Sequence, residues 1–272
     1  MANDEELEEG KMPLLDHLIE LRRRLLYSVL AWLVMFAPCW YFSKPIYNFL
    51  AKPLAEILAE QSGGHFIYTD LTEAFFTDLR VAFWASFCLA FPLIATQIWM
   101  FVAPGLYKNE RRAFLPYLFA TPVLFIIGAS LAYFVIFPIA WRFFASFQEL
   151  GGQGALAIEL QPKVSEYLTL VMRLIFAFGF AFQMPVLLTL LAHVGIVTSA
   201  GLAEKRRYAI VVNFIIAAVL TPPDVFSMCS LALPLVLLYE ISIFSARMVE
   251  KRRAAREAAE AAELDDETSG KP

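Results

Sequence analysis

The sequence predicts an all-α integral membrane protein with six transmembrane helices and both termini in the cytoplasm. Of its 272 residues, 59% are hydrophobic and only 18% are charged. The mean hydropathy of +0.61 also exceeds that of an ordinary soluble domain. Sixteen of the 22 lysines and arginines lie in four blocks that alternate with long apolar segments. These features together are typical of a multi-spanning membrane protein.

The positive blocks predict the orientation of the chain. They are Lys11 with residues 22–24, Lys108 with residues 111–112, residues 205–207, and the six positive residues from Arg247 onward. Positive residues resist translocation and collect in short cytoplasmic loops, so these four blocks are expected inside. The loops at 43–74 and 138–163 together hold four positive residues and are expected outside.

The predicted spans follow from where charge is absent. They cover residues 25–42, 75–101, 113–137, 164–191, 208–220 and 225–246. About 20 helical residues are needed to cross roughly 30 Å of hydrocarbon. The fifth span has only 13 residues, and a short span requires a thinner bilayer or a partner helix. The hairpin of the fifth and sixth spans is therefore interpreted as a docking surface.

The flanking segments complete the predicted domain organisation. Residues 1–13 form an acidic cytoplasmic tail, 14–246 the transmembrane domain, and 247–272 a cytoplasmic tail that is largely disordered. Leucines recur at helical spacing just before the first span, which predicts an amphipathic helix running into it.

Catalytic and metal-binding patterns are not found in the sequence. Cys39, Cys88 and Cys229 are isolated, and the three histidines are scattered, so neither a metal site nor a cofactor is predicted. Nucleotide-binding loops and hydrolase signatures are missing as well. The sequence therefore predicts a protein that is not an enzyme and does not bind nucleic acid. An ion gradient or a partner ATPase would have to drive any transport.

Two carboxylates on the predicted cytoplasmic face are candidate ligand-binding groups. Glu20 precedes the first span and Glu110 lies in the next cytoplasmic loop. One interpretation is that Glu20 only pairs with Arg23 or Arg24 on its own helix. The other is that both carboxylates accept guanidinium groups from a ligand, with Arg23 and Arg112 as internal competitors. The sequence leaves both open.

Four motifs closely resemble those of a known family. They are HLIELRRRL at 17–25, FVAPGLYKNERR at 101–112, AYFVIFP at 132–138 and LTPPDVFS at 220–227. Their combination and order resemble TatC, the multi-spanning receptor subunit of the twin-arginine protein translocase. The resemblance extends from about residue 14 to residue 249.

The resemblance implies a receptor in the bacterial cytoplasmic membrane. It would bind twin-arginine signal peptides at its cytoplasmic face, associate with TatA-type and TatB-type single-span subunits and with itself, and export folded proteins with the protonmotive force. The implied shape is a concave, glove-like bundle whose fifth and sixth spans are short.

Individual residues also match positions that the family uses. The implied signal-peptide residues are Glu20, Glu110, Arg22, Phe101, Leu106 and Arg112. Positions implied to serve translocation or structure are Pro53, Tyr133 and Asp224. Asp224 also suits a helix cap or a turn, which is the interpretation favoured by the residues alone.

Some polar residues lie at predicted membrane depth. Gln183 stands where the family often has a glutamate; a glutamine forms hydrogen bonds but does not ionise, and polar packing between helices is the alternative to a functional role. Glu240 matches a position near partner helices and is expected to contact a single-span subunit. Arg173, Asp78 and Arg80 are interpreted as ion pairs between spans.

Two other functions were weighed against the receptor. A secondary transporter of small solutes is the alternative function, although its usual internal repeat is not evident in this sequence. An intramembrane protease would need two acidic residues in mid-span, and the predicted spans hold no such pair of aspartates.

Overall fold

Helices form almost all of the chain that the structure describes. The computed structural model describes residues 14–61, 65–102, 115–148, 161–221 and 224–269. The α-helices are α1 (Leu14–Tyr41), α2 (Ser43–Gln61), α3 (Glu73–Val102), α4 (Leu115–Leu131), α5 (Phe137–Ala145), α6 (Val164–Ala181), α7 (Met184–His193), α8 (Ser199–Glu204), α9 (Arg206–Leu220) and α10 (Val225–Ser269). A π-helix at Ala132–Ile136 joins α4 to α5.

Among the described residues, five helical segments are long and apolar enough to cross a membrane. They are His17–Tyr41, Glu73–Phe101, Pro116–Ala145, Val164–His193 and Val225–Ala255. The remaining predicted span is α9, whose 15 residues make roughly 22 Å of helix. The all-helical membrane fold is thus confirmed, whereas the short sixth span and the concave shape stay predictions.

The described chain divides into two compact units. The first holds the residues up to Lys52, those between Phe66 and Pro122, and Pro162–Leu168. The second holds Pro53 to the end of α2, the residues from Val123 onward in the third span, and the chain from Thr169.

In the first unit, α1 and α3 pack antiparallel along their length. Trp32 in the middle of α1 donates to Ser86, and Trp40 near its end packs edge-on against Phe75 at 5.8 Å. Many large apolar side chains of α1 remain exposed, Leu33 among them, as expected for a helix that faces lipid.

Two predicted outer loops meet in the same unit. The Ile67 amide donates to the Pro162 carbonyl and the Val164 amide donates to the Ile67 carbonyl, both at 3.2 Å. The buried Glu73 carboxylate accepts hydrogen bonds from Thr69 and from the Ser165 amide. These loops therefore form one hydrogen-bonded structure.

The first predicted outer loop is not irregular throughout, because α2 occupies 19 of its residues. Leu54, Ile57 and Leu58 are buried, and their helical spacing explains the element. The charge pattern predicts only an outer loop here, and it does not reveal the helical spacing of these apolar residues.

In the second unit, two glycines allow helices to approach closely. A Cβ at Gly128 would lie 2.5 Å from the Phe178 carbonyl oxygen, and a Cβ at Gly179 would lie 2.5 Å from the Phe125 ring. Larger residues could not keep this separation between the third span and α6.

The third span continues past Pro138, where the sequence predicted a loop. The Phe137 amide donates to the Ala132 carbonyl, five residues back, and the wider turn accommodates the proline that follows. The predicted fourth span is divided, because α6 ends at Ala181 and α7 begins with Pro185 in its first turn.

Helix α10 has 45 residues, roughly 67 Å, and includes most of the predicted C-terminal tail. Its Ala- and Glu-rich composition favours helix. The structure therefore differs from the expectation of a largely disordered tail, whereas the three-part domain division stays a prediction.

Candidate functional site

The candidate site is built on the first turns of α1, within the first unit. His17, Glu20 and Arg24 are spaced three and four residues apart, which places them on one face of the helix. Arg24 Nη2 donates to Glu20 Oε1 at 3.2 Å. The two side chains are only 16% and 13% exposed, so this pair is more enclosed than an ordinary surface ion pair.

Side chains of α3 contact the other terminal nitrogen of the Arg24 guanidinium. Nη1 of the guanidinium donates to Gln97 Oε1 at 3.3 Å and contacts Met100 Sδ at 3.5 Å. The buried Nε–H of Arg24 has no acceptor among the described residues. The guanidinium therefore touches Glu20 through one nitrogen, and its bidentate edge is not used.

An aromatic contact lies at the same end of the α1–α3 pair. The ring of Phe101, a predicted signal-peptide residue, stacks on His17 with centroids 4.3 Å apart and an interplanar angle of 21°. The structure thus brings Phe101 and Glu20 to one end of the α1–α3 pair.

The other positive residues of this turn point elsewhere. Arg22 and Arg23 are exposed and make no hydrogen bond or ion pair with any part of the chain that the structure describes. Of the two partners open to Glu20, the structure selects Arg24, and the predicted competitor Arg23 is wrong. The three predicted residues of the next cytoplasmic loop, Leu106, Glu110 and Arg112, lie outside the described residues.

Two predicted residues of the second unit have structural surroundings. Pro53 is buried inside α2. Tyr133 is buried in the π-helix and packs edge-on against Phe134, with centroids 4.8 Å apart. Such π turns are frequent at functional sites because they turn side chains away from the regular helical register.

Gln183 and Asp224 lie at helix starts. Gln183 occupies the break between α6 and α7, and its Nε2 donates to the Gly179 carbonyl at 3.4 Å. Asp224 Oδ1 accepts from the Ser227 amide at 2.6 Å, which caps α10. The geometry of Asp224 agrees with its capping interpretation.

Glu240 has a partner within the chain. Arg206 Nε at the start of α9 lies 2.6 Å from Glu240 Oε1 on α10, and the side chains are 46% and 42% exposed. A neighbouring hydrogen bond of 2.8 Å from the Tyr239 hydroxyl to the Leu202 carbonyl joins α10 to α8, the short helix just before α9. The expected contact of Glu240 with another subunit stays a prediction.

The polar residues expected to pair between spans do not pair within the part of the chain that the structure describes. Asp78, Arg80 and Arg173 form no ion pair with the residues that the structure describes. Within those residues there is also no group of three or more His, Cys, Asp or Glu side chains that could hold a metal ion.

Comparison with known proteins decides the family. The model of the TatC family, described as Sec-independent protein translocase protein, matches residues 16–234. The chain belongs to the TatC family. It is thus a component of the Sec-independent translocase and a multi-pass protein of a bacterial membrane.

Individual TatC proteins are similar to this chain over most of their length. The Magnetococcus marinus TatC is 52% identical over 255 residues, which are 94% of this chain and 91% of the relative. The Escherichia coli K12 TatC is 40% identical over 249 residues, 92% of this chain and 93% of the relative. A crystal structure of the twin arginine translocase receptor TatC has a TM-score of 0.74 and 38% identity, and covers 86% of this chain and 99% of that one.

The sequence analysis of this TatC chain missed His17, Gln97 and Met100 as neighbours of the predicted site. Their spacing held a signal, because Gln97, Met100 and Phe101 share one face of α3 as His17, Glu20 and Arg24 share one face of α1. What the sequence could not give is that these two faces meet.

Proposed function

We propose that this TatC-family chain is the receptor that binds twin-arginine signal peptides at its cytoplasmic face. The observation that carries the proposal is the Glu20 carboxylate. It is partly enclosed at the end of the α1–α3 pair and, among the described residues, accepts one hydrogen bond, from Arg24 at 3.2 Å. The bond uses one of its two oxygens, so the carboxylate keeps capacity for a further guanidinium.

The proposed chemistry explains why arginine is selected. Guanidinium is planar, permanently charged and able to donate two parallel hydrogen bonds to a carboxylate, whereas ammonium makes point contacts. Glu20 and Glu110 would each accept one arginine of the pair. Arg22, Phe101, Leu106 and Arg112 are proposed to shape the surrounding surface, with Phe101 contacting the apolar part of the signal.

The remaining family positions are proposed to act in translocation rather than in recognition. Pro53, Tyr133 and Asp224 would maintain the helical frame, and Gln183 would supply a polar contact that does not ionise. Glu240 would lie near the single-span TatA-type and TatB-type partners, which complete a machine driven by the protonmotive force. The chain binds and assembles, and it catalyses no reaction.

Peptide binding in nanodiscs tests the receptor function. A labelled signal peptide with Arg-Arg is compared with its Lys-Lys form on wild type, Glu20→Gln, Glu110→Gln and the double variant. Each lost charge-assisted bond is expected to weaken Arg-Arg binding by about ten- to hundred-fold. Glu204→Gln, an exposed carboxylate of α8 on the same predicted face, is the matched control and should bind normally.

Unchanged Arg-Arg affinity in the double variant would refute the assignment of both carboxylates. Uptake of a small solute by vesicles that contain only this protein would instead support the alternative of a secondary transporter. The proposed orientation is tested with a membrane-impermeant thiol reagent in a cysteine-free background. Glu166→Cys should react from outside and Glu204→Cys only from inside.

A further inference from the structure

Arg24 lies beside Glu20, where the proposed function puts an arginine of the signal peptide. Its Nη2 lies 3.2 Å from Glu20 Oε1, and Gln97 and Met100 of α3 hold its Nη1. The surroundings of Glu20 therefore already contain a guanidinium. It is fixed from α3 and does not simply extend from a solvated helix.

The enclosure of Glu20 explains why a resident cation is needed. The carboxylate is only 13% exposed, and a charge withdrawn from water without a partner is costly. Arg24 supplies the counter-charge while no ligand is present. The contact between Arg24 and Glu20 is nevertheless weaker than a bidentate pair. It uses one nitrogen of the guanidinium, and the Nε–H of Arg24 has no acceptor in the described chain.

We propose that Arg24 is an internal competitor of the signal peptide: it neutralises Glu20 in the empty receptor and must release the carboxylate when a peptide arginine binds. This rests on the proposed function. A peptide guanidinium that approaches with its fork free can replace one hydrogen bond with two. Gln97 remains as an acceptor for the displaced Arg24, so release does not leave its charge without a polar contact.

The competition sets a threshold for recognition. An internal competitor lowers the affinity of every ligand that needs Glu20 by the same factor. Ligands that bind weakly, such as a Lys-Lys peptide, then fall below a useful affinity first, whereas an Arg-Arg peptide stays above it. Arg24 would thus set the absolute affinity that a ligand must reach, whereas the ratio between the Arg-Arg and Lys-Lys affinities would still come from the carboxylates.

The test uses the nanodisc assay described for the proposed function. Arg24→Gln removes the competing charge and is expected to tighten both the Arg-Arg and the Lys-Lys peptide by about two- to five-fold, the range of a partly exposed ion pair. Arg23→Gln is the matched control, because it removes the same charge from the same turn without contacting Glu20. It should change affinity much less.

The double variant separates competition from general electrostatics. In a Glu20→Gln background, Arg24→Gln should bring no more gain than Arg23→Gln does, because no carboxylate remains to be released. If Arg24→Gln does not elute as a monodisperse protein, Arg24→Met is used, since its apolar stem can pack beside Met100.

The outcomes are distinguishable. Weaker binding by Arg24→Gln, or an equal gain from Arg23→Gln, would overturn the competition while Glu20 could still be required. A Glu20→Gln variant that binds the Arg-Arg peptide like wild type would overturn the role of Glu20 itself, and with it this inference.

Discussion

The indole Nε1 of Trp32 on α1 donates a hydrogen bond of 2.9 Å to the hydroxyl of Ser86 on α3. Ser86 is fully buried, and its own hydroxyl proton goes to the Phe83 carbonyl at 2.7 Å. The bond joins the two helices that present the candidate site, midway along their length. Few other residues of α1 are buried, so this hydrogen bond helps to fix the position of α1 against α3.

Trp32→Phe should therefore lower the stability of the protein. It removes the indole donor that the Ser86 hydroxyl and the Phe83 carbonyl share, at 2.9 and 3.3 Å, which costs about 1–2 kcal/mol. The measurement is the midpoint of thermal unfolding in detergent. Trp40→Phe is the control, since its indole makes no hydrogen bond with the described residues. Equal shifts in the two variants would mean that only aromatic volume matters.

Gly128→Ala should also be destabilising, although alanine is the better helix former. The new Cβ would meet the Phe178 carbonyl oxygen at 2.5 Å, and overlap of this kind costs about 1–3 kcal/mol. Gly201→Ala is the comparison, because its Cβ would meet only the Thr198 hydroxyl at 3.1 Å. The measurement is the unfolding midpoint of the two variants. An unchanged midpoint for Gly128→Ala would contradict the close packing.

Glu73→Gln should loosen the hydrogen-bonded outer loops. The carboxylate, 5% exposed, accepts from the Thr69 and Ser165 amides and lies 3.9 Å from Lys163 Nζ. A neutral amide oxygen accepts these bonds less strongly. Faster proteolysis of residues 65–72 than in wild type is expected. Glu166→Gln, which changes an exposed carboxylate nearby, should be cleaved at the wild-type rate.

The pair of Arg206 and Glu240 allows its two interpretations to be separated. If the Glu240 carboxylate acts within the chain, Glu240→Gln and Arg206→Gln should change the free energy of unfolding by similar amounts. The coupling free energy from a double-mutant cycle should be at most about 1 kcal/mol, because both side chains are exposed. Co-purification of a TatB-type subunit should then be the same for both variants. Loss of the subunit in Glu240→Gln alone would show that the carboxylate contacts the partner.

The predictable part of this fold came from hydropathy and helical spacing. Apolar segments long enough to cross the bilayer were assigned correctly because backbone groups in lipid must be satisfied within a helix. The third span was predicted to end at Phe137, whereas a π turn carries the helix onward past Pro138. Helix α2 was missed because its charged and polar residues suggested a loop.

For the candidate site, the sequence by itself determined the chemical groups and their order. Glu20 and Arg24 are four residues apart on a helix, so their pairing was one of two interpretations that local geometry allowed. Only the tertiary structure decided between Arg23 and Arg24, because Gln97 and Met100 of α3 hold the guanidinium of Arg24. Residues that lie more than seventy positions apart in the chain meet through packing, which a local pattern does not encode.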